Sequence, residues 1–298
     1  MKKAGNTQSE IAQALGFSQG TVSKKQKRNT GKRGYSEKQS QKLAEERLKL
    51  KSTKIPIIVG DLEQEVTRCL RLKHSPEQIS IGLKRLNQNV SYETIYSFII
   101  ADRQGGGGLF RELRINGKRR YRRRAGNRRS KIPNRQGLES RPAIVDERLR
   151  FGDWEVDLIE GSKGTGFILS LYERKSRTGL ISKLETKSAE TTTWAIIERV
   201  RSYGVKTLTY DNGLELSGHE KVSLEFEAAG YFCAPYASWE KGGAENFNGL
   251  VRQYYPKGSS FAKITNESLK RVEQEVNERP RKILDGLSPS ELAEKIAA

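Results

Sequence analysis

Three carboxylates in this 298-residue chain occupy positions where a charge needs a reason. Asp157 interrupts an apolar run, between Val156 and Leu158. Asp211 closes the run Lys-Thr-Leu-Thr-Tyr and is followed at once by Asn212 and Gly213. Glu245 follows Gly242 and Gly243 in a segment with helical periodicity. A charge within or at the end of a core strand is costly unless it is paired or binds a metal. Strand ends and helix faces at one edge of an α/β sheet can meet at one point. Three carboxylates there suit Mg²⁺ or Mn²⁺, hard cations that take oxygen ligands. Two such ions about 3.5–4 Å apart activate a hydroxyl and steady the leaving oxygen in phosphodiester chemistry. Taken singly, each residue has an ordinary explanation: strand-end aspartates cap turns, and helical glutamates are solvated. Asp153 and Glu155 share the strand parity of Asp157 and are rival ligands, with Asp153 at the strand entrance. The reading rests on the set.

The elements that must position these acids begin near residue 147. WEVDLIE, GFILSLYER and GLISKLET read as three short strands separated by Gly/Lys/Ser turns. A helix spans Ala189 to Tyr203, with Trp194, Ile197 and Val200 on its apolar positions. KTLTYD is a fourth strand, Ser217 to Ala229 a helix, YFCA a fifth strand, and Lys241 to Tyr254 a helix. The order β-β-β-α-β-α-β-α predicts an α/β fold, a mixed five-stranded sheet with flanking helices. Trp239 reads as a packing or a base-stacking residue.

Charge divides the chain. Residues 1–146 hold 33 Lys/Arg against 13 Asp/Glu, a net +20, whereas residues 147–298 hold 22 against 23, a net −1. A strongly basic half beside a neutral one predicts a polyanion-binding module, with nucleic acid as the polyanion. Two cysteines, Cys69 and Cys233, exclude a disulfide framework and a structural zinc site. The basic start is not followed by an apolar run, and no stretch is apolar enough to span a bilayer, so a cytoplasmic protein is expected.

The basic half carries two all-α helix-turn-helix candidates. In residues 1–30, Ile11, Ala12 and Leu15 share a helical face, Gly16 makes the turn, and Ser18 caps a second helix with Val22 inward. Ser18, Gln19, Thr21, Lys24 and Lys25 would face DNA; an ordinary αα-hairpin is the alternative. The supporting first helix of such units is missing ahead of Thr7, which suggests an incomplete module. Residues 31–60 read as a solvated helical linker. In residues 61–101, Leu62, Val66 and Leu70 have helical spacing, Ser75-Pro76 with Gln78 forms a capping box, and Ser91 caps a helix with Ile95, Phe98 and Ile99 inward. Tyr92, Glu93 and Thr94 occupy its exposed first turn, the usual place for base contacts; a purely structural three-helix bundle fits the spacing equally. Residues 102–146 form a basic arm in which twelve of the residues from Arg111 to Arg135 are Lys or Arg, among them Arg119, Arg120, Arg122, Arg123, Arg124, Arg128 and Arg129. Such a run binds phosphate by counterion release, without reading sequence.

The segments GDWEVDLIEG, TLTYDNGLELSGHE, PYASWEKGGAENFNGLVRQYYPKG and VNERPRKILDGLSPSELA resemble transposases of the insertion-sequence-thirty family. That family belongs to the DDE transposases and retroviral-type integrases. The resemblance covers the chain in order and implies a ribonuclease-H-like catalytic core in residues 147–298. Asp211 and Glu245, with 33 residues between them, have a spacing similar to the family's second and third acids. The family's basic residue seven positions after the glutamate falls on Arg252, nearly two turns along the same helical face, which implies a catalytic residue that contacts phosphate. The resemblance implies that Asp157, Asp211 and Glu245 hold two Mg²⁺ ions, with Mn²⁺ as a substitute. It implies double-stranded DNA partners (terminal inverted repeats and target), an assembly of at least two copies, and a nucleoid-associated location. A catalytically inactive, transposase-derived DNA-binding regulator is the alternative. Asp153 stands where the family usually has histidine. Glu240 replaces the usual glutamine of the WQRG-type turn, placing extra negative charge near the DNA path. His219, eight residues after Asp211, is either near the site or structural.

Overall fold

The computed structural model describes residues 5–30, 34–52, 57–114, 132–234 and 237–297. The chain forms two compact units, Met1–Val59 and Gly60–Ala298. The first contains α1 (Gln8–Leu15), α2 (Gln19–Arg28) and α3 (Glu37–Ser52). Thr7 caps α1 in a reciprocal box with Glu10, and Ser18 caps α2 through the Thr21 amide. Gly16 makes the turn between them at φ +69°, a conformation open to glycine without strain. Ala12 is buried and Val22 half-buried, as the helix-turn-helix spacing predicts. Leu15, expected on the inner face, is 52% exposed, because the turn at Gly16 carries the last residue of α1 away from α2.

The second unit opens with α4 (Asp61–Arg71), α5 (Pro76–Arg85) and α6 (Tyr92–Gln104). The Ser75–Gln78 capping box is present, and Ser91 caps α6 through the Thr94 amide. Val66, Leu70, Ile79, Leu83, Ile95 and Ile99 are buried between these helices. The bundle is tied to the rest of its unit: Arg85 pairs with Glu291 at 2.7 Å and donates to the Gly286 carbonyl at 3.1 Å.

Six strands follow with their helices: β1 (Gln136–Gly137), α7 (Ala143–Asp146), β2 (Asp153–Glu160), β3 (Phe167–Glu173), β4 (Gly179–Leu184), α8 (Ala189–Val200), β5 (Thr207–Tyr210), α9 (His219–Phe226), β6 (Ala229–Phe232), α10 (Gly242–Val251), α11 (Asn266–Asn277) and α12 (Pro289–Ala297). The sheet order is β1-β6-β5-β2-β3-β4. β2, β3 and β4 are antiparallel, while β2, β5, β6 and β1 are parallel. The mixed α/β sheet expected from the sequence is present, with a sixth strand added at its edge. That strand has two residues, too few to show alternation, and lies inside the stretch read as a basic arm.

β2 sorts its residues by parity. Trp154 and Val156 join the core under α8 and α9, with Leu169, Leu171, Ile196, Ile197, Val200, Leu208 and Val222. Ile159 joins the opposite core, where Ile168, Tyr172 and Ile181 meet Phe247 and Val251 of α10 and Leu269, Val272 and Val276 of α11. Asp153, Glu155 and Asp157 have the parity of Ile159, and Glu155 and Asp157 meet α10 at Ala244 and Asn248.

Two stability predictions arise from this packing. Leu169→Ala, which empties a fully buried position, is expected to cost about 2–5 kcal/mol. Leu224→Ala, at an 80% exposed position, is expected to change stability by about 0.5 kcal/mol or less; urea denaturation read by circular dichroism compares the two. His74, between α4 and α5, has its pKa lowered to about 4, by burial first and then by the charges of Arg279 and Arg68. The unfolded chain therefore takes up a proton there before the folded one does. Stability is lost as pH falls from the ordinary histidine value toward 4, and His74→Gln should make that decline shallower in calorimetric midpoints.

Candidate active site

Asp157 and Asp211 come together through strand register. β2 and β5 are neighbours and parallel, with Asp153 beside Thr207 and Glu155 beside Thr209. Two residues further on, the same register sets Asp157 next to Asp211, just past the end of β5. Both carboxylates face one ammonium: Lys241 Nζ lies 3.4 Å from Asp157 Oδ1 and 3.6 Å from Asp211 Oδ2. Lys241 also donates to the Val156 carbonyl at 2.8 Å and is only 6% exposed. Burial by itself lowers its pKa; the charges of Asp157 and then Asp211 outweigh burial and hold it above the ordinary lysine value. The aspartates remain accessible, with side-chain exposures of 27% and 44%. Asp211 Oδ1 accepts the Gly213 amide at 2.9 Å, the Asx-type turn that its Asn-Gly sequel favours.

Glu245 lies exposed in the first turn of α10. One turn further along the same face, Asn248 Nδ2 donates to Asp157 Oδ2 at 2.7 Å. Among the described residues, no three His, Cys, Asp or Glu side chains stand close enough to hold a metal ion. The structure thus brings Asp157 and Asp211 together and sets the helix of Glu245 against them, without gathering all three carboxylates. Arg252 ends α10. It donates to the Glu160 carbonyl at 2.8 Å, and its side chain lies over the Phe261 ring, pinning the helix end to the end of β2. Burial lowers its pKa.

Lys241, Glu245, Asn248 and Arg252 follow one another at intervals of four, three and four residues. They form one polar stripe along α10. Sequence reading found two of its members, Glu245 and Arg252, and missed Lys241 and Asn248, although the same helical spacing selects them.

The rival acids are committed elsewhere. Asp153 is fully buried, paired with Arg150 at 3.0 Å and accepting from Thr207 at 2.7 Å. Glu155 is fully buried. Its Oε1 takes Arg174 Nη1 at 2.5 Å and its Oε2 takes the Ala244 amide at 2.7 Å. Arg174 in turn donates to the Val145 carbonyl and contacts Asp146. Glu155 therefore satisfies one of the free amides at the N-terminus of α10. The helix sits close to the sheet at this point: a side chain on Gly243 would enter the Tyr172 ring and press on Glu155.

Several other expectations resolve. His219 is structural: it is buried against Tyr210 and Phe232, with Nε2 3.1 Å from the Pro133 carbonyl. Trp239 is 73% exposed, which removes its packing role. Glu240 accepts the Ala234 amide at 2.8 Å, so its charge braces the turn before α10. Ser18, Gln19, Thr21, Lys24 and Lys25 are exposed on and before α2, as are Tyr92 and Glu93 on α6, with Thr94 half-buried. Arg119, Arg120, Arg122, Arg123, Arg124, Arg128 and Arg129 lie outside the described residues.

The known proteins that resemble this chain over most of its length are transposases. The chain is 39% identical over 295 residues to the transposase for insertion sequence element IS4351 of Bacteroides fragilis, covering 96% of this chain and 89% of that protein. It is 34% identical to the transposase for IS1086 of Cupriavidus metallidurans, covering 97% and 89%. It is 32% identical to transposase InsI for IS30A of Escherichia coli, covering 96% and 78%. No protein-family model matches. The catalytic core domain of BIV integrase aligns with 48% of this chain and 93% of that one, at 18% identity and a TM-score of 0.39. The relatives define the class: the chain is a transposase by descent. It belongs to the insertion-sequence-thirty family. Among the described residues, no helix is long and apolar enough to cross a membrane.

The Glu155 network yields a prediction. Glu155→Ala leaves Arg174 buried beside only part of its counter-charge and frees the N-terminus of α10. It is expected to cost about 3–5 kcal/mol in urea unfolding; a loss below about 1 kcal/mol would contradict the anchoring role.

Proposed function

We propose that this transposase binds the terminal inverted repeats of its own element, cleaves the DNA there and transfers the freed strand to target DNA. The supporting observation is the convergence of Asp157 and Asp211 on one cation, the Lys241 ammonium, at 3.4 and 3.6 Å. A pair of carboxylates that attracts a buried ammonium is a donor set suited to Mg²⁺ or Mn²⁺. Asn248 adds an oxygen acceptor beside them, since its Oδ1 is buried without a partner among the described residues. In this reading Asp157, Asp211 and Glu245 are the ligands of two ions, with Glu245 brought in by a side-chain movement on its exposed turn. Divalent ions held there supply the positive charge that lowers the barrier to phosphodiester displacement.

The chain's own residues divide the remaining work. Ser18, Gln19, Thr21, Lys24 and Lys25 on the first helix-turn-helix, and Tyr92, Glu93 and Thr94 on the second, read base edges. The arginines between residues 119 and 129 hold the flanking backbone. Arg252 keeps α10 seated so that Glu245 stays within reach. Hydrolysis breaks a P–O3′ bond at each element end and leaves a 3′-hydroxyl. That hydroxyl attacks a target phosphodiester, whose own 3′-oxygen leaves with the proton, so the second step conserves the number of phosphodiester bonds. Two ends require at least two copies of the protein, acting in the cytoplasm on the nucleoid.

Incubating the protein with labelled terminal-repeat DNA and Mg²⁺ tests the proposal: new 3′ ends and joined products are expected, and binding without nicking would make it a regulator. Asp157→Asn, Asp211→Asn and Glu245→Gln should each reduce cleavage by roughly 10²–10³-fold or more, with end binding retained in gel shifts. Deleting residues 119–131 should weaken binding to every DNA sequence and flatten its salt dependence, by about 0.9 in log–log slope for each phosphate no longer neutralised.

A further inference from the structure

Lys241 is buried, and its ammonium is shared by Asp157, Asp211 and the Val156 carbonyl. The sequence pattern alone assigns it no role, and its position is unlike that of a surface lysine. It begins the polar stripe of α10, one turn before Glu245. Two carboxylates side by side on adjacent parallel strands repel each other, and the only cation within ion-pair distance of both among the described residues is this one. An ammonium and a divalent ion both seek the same carboxylate oxygens, Asp157 Oδ1 and Asp211 Oδ2, so they compete for one place.

We propose that Lys241 is a built-in placeholder cation: it keeps Asp157 and Asp211 together before metal arrives, and is displaced when a divalent ion binds. This deepens the proposed function and rests on its metal site. Lys241 is thus a positioning residue that sets how readily the site loads.

Mn²⁺ binding to the full-length protein, measured by electron paramagnetic resonance, tests the idea in wild type and Lys241→Met. The variant is expected to bind Mn²⁺ roughly tenfold more tightly or better, because a competing positive charge has gone. In chelator its thermal midpoint should be below that of wild type, and Mn²⁺ should raise it by more. Equal or weaker Mn²⁺ binding by the variant would overturn the proposal, since a lysine that only braces the site would loosen it when removed. A second measurement needs no variant. Acylation of Lys241 in wild type, followed by peptide mass spectrometry, should speed up at saturating Mn²⁺ as the amine leaves its buried place; an unchanged or slower rate at saturation would overturn the proposal even if Lys241→Met does not fold. Absence of Mn²⁺ binding by wild type would instead overturn the metal-site reading, and this inference with it.

Discussion

Repulsion between two neighbouring aspartates is the constraint around which this core is arranged. Parallel pairing of β2 with β5 runs to Glu155 and Thr209, and its continuation brings Asp157 and Asp211 to the same Lys241 ammonium. Both side chains are partly exposed to water, which screens that repulsion, and the buried Lys241 ammonium supplies a counter-charge to both.

The same physics explains why α10 is so firmly fixed. Lys241 stands just before its first turn, and that turn is held by Glu155 through the Ala244 amide. Its far end is held to β2 by Arg252. Phe247, Leu250 and Val251 bury its apolar face. A helix held at both ends and along its length keeps Glu245 beside the strand acids while leaving that side chain in solvent. The neighbouring acids Asp153 and Glu155 carry structural loads with Arg150 and Arg174. One face of one strand therefore holds two acids that build the frame and a third whose side chain stays partly exposed.

Much of this was legible in the sequence because it is local. Helix starts at Ser18, Ser75 and Ser91 follow from capping chemistry within four residues, and the strands around Val156, Leu169 and Leu208 follow from short apolar runs. The sequence named Asp157 and left Asp153 and Glu155 as rivals, because strand pattern by itself does not part them. All three share a strand face, and only long-range partners, Thr207, Arg174 and Ala244, separate them. The 153–207 register is likewise a tertiary fact. The stripe of Lys241, Glu245, Asn248 and Arg252 is different: its period was visible, but a lysine in a basic protein attracts no notice until its burial is known. Helix α11 was missed although Leu269, Val272 and Val276 have helical spacing, because the charged residues between them read equally well as a solvated segment. The two-residue β1 carries no periodic signal of its own.

The central claim is that Asp157, Asp211 and Glu245 share one divalent-cation site. Loading the protein with Fe²⁺ in place of Mg²⁺ and adding ascorbate and peroxide generates radicals that cut the backbone near the bound ion. Mapping the fragments by mass spectrometry should reveal cuts clustered around residues 157, 211 and 245, suppressed by excess Mg²⁺. Mg²⁺-suppressible cuts that cluster elsewhere, or that spare α10, would contradict the account.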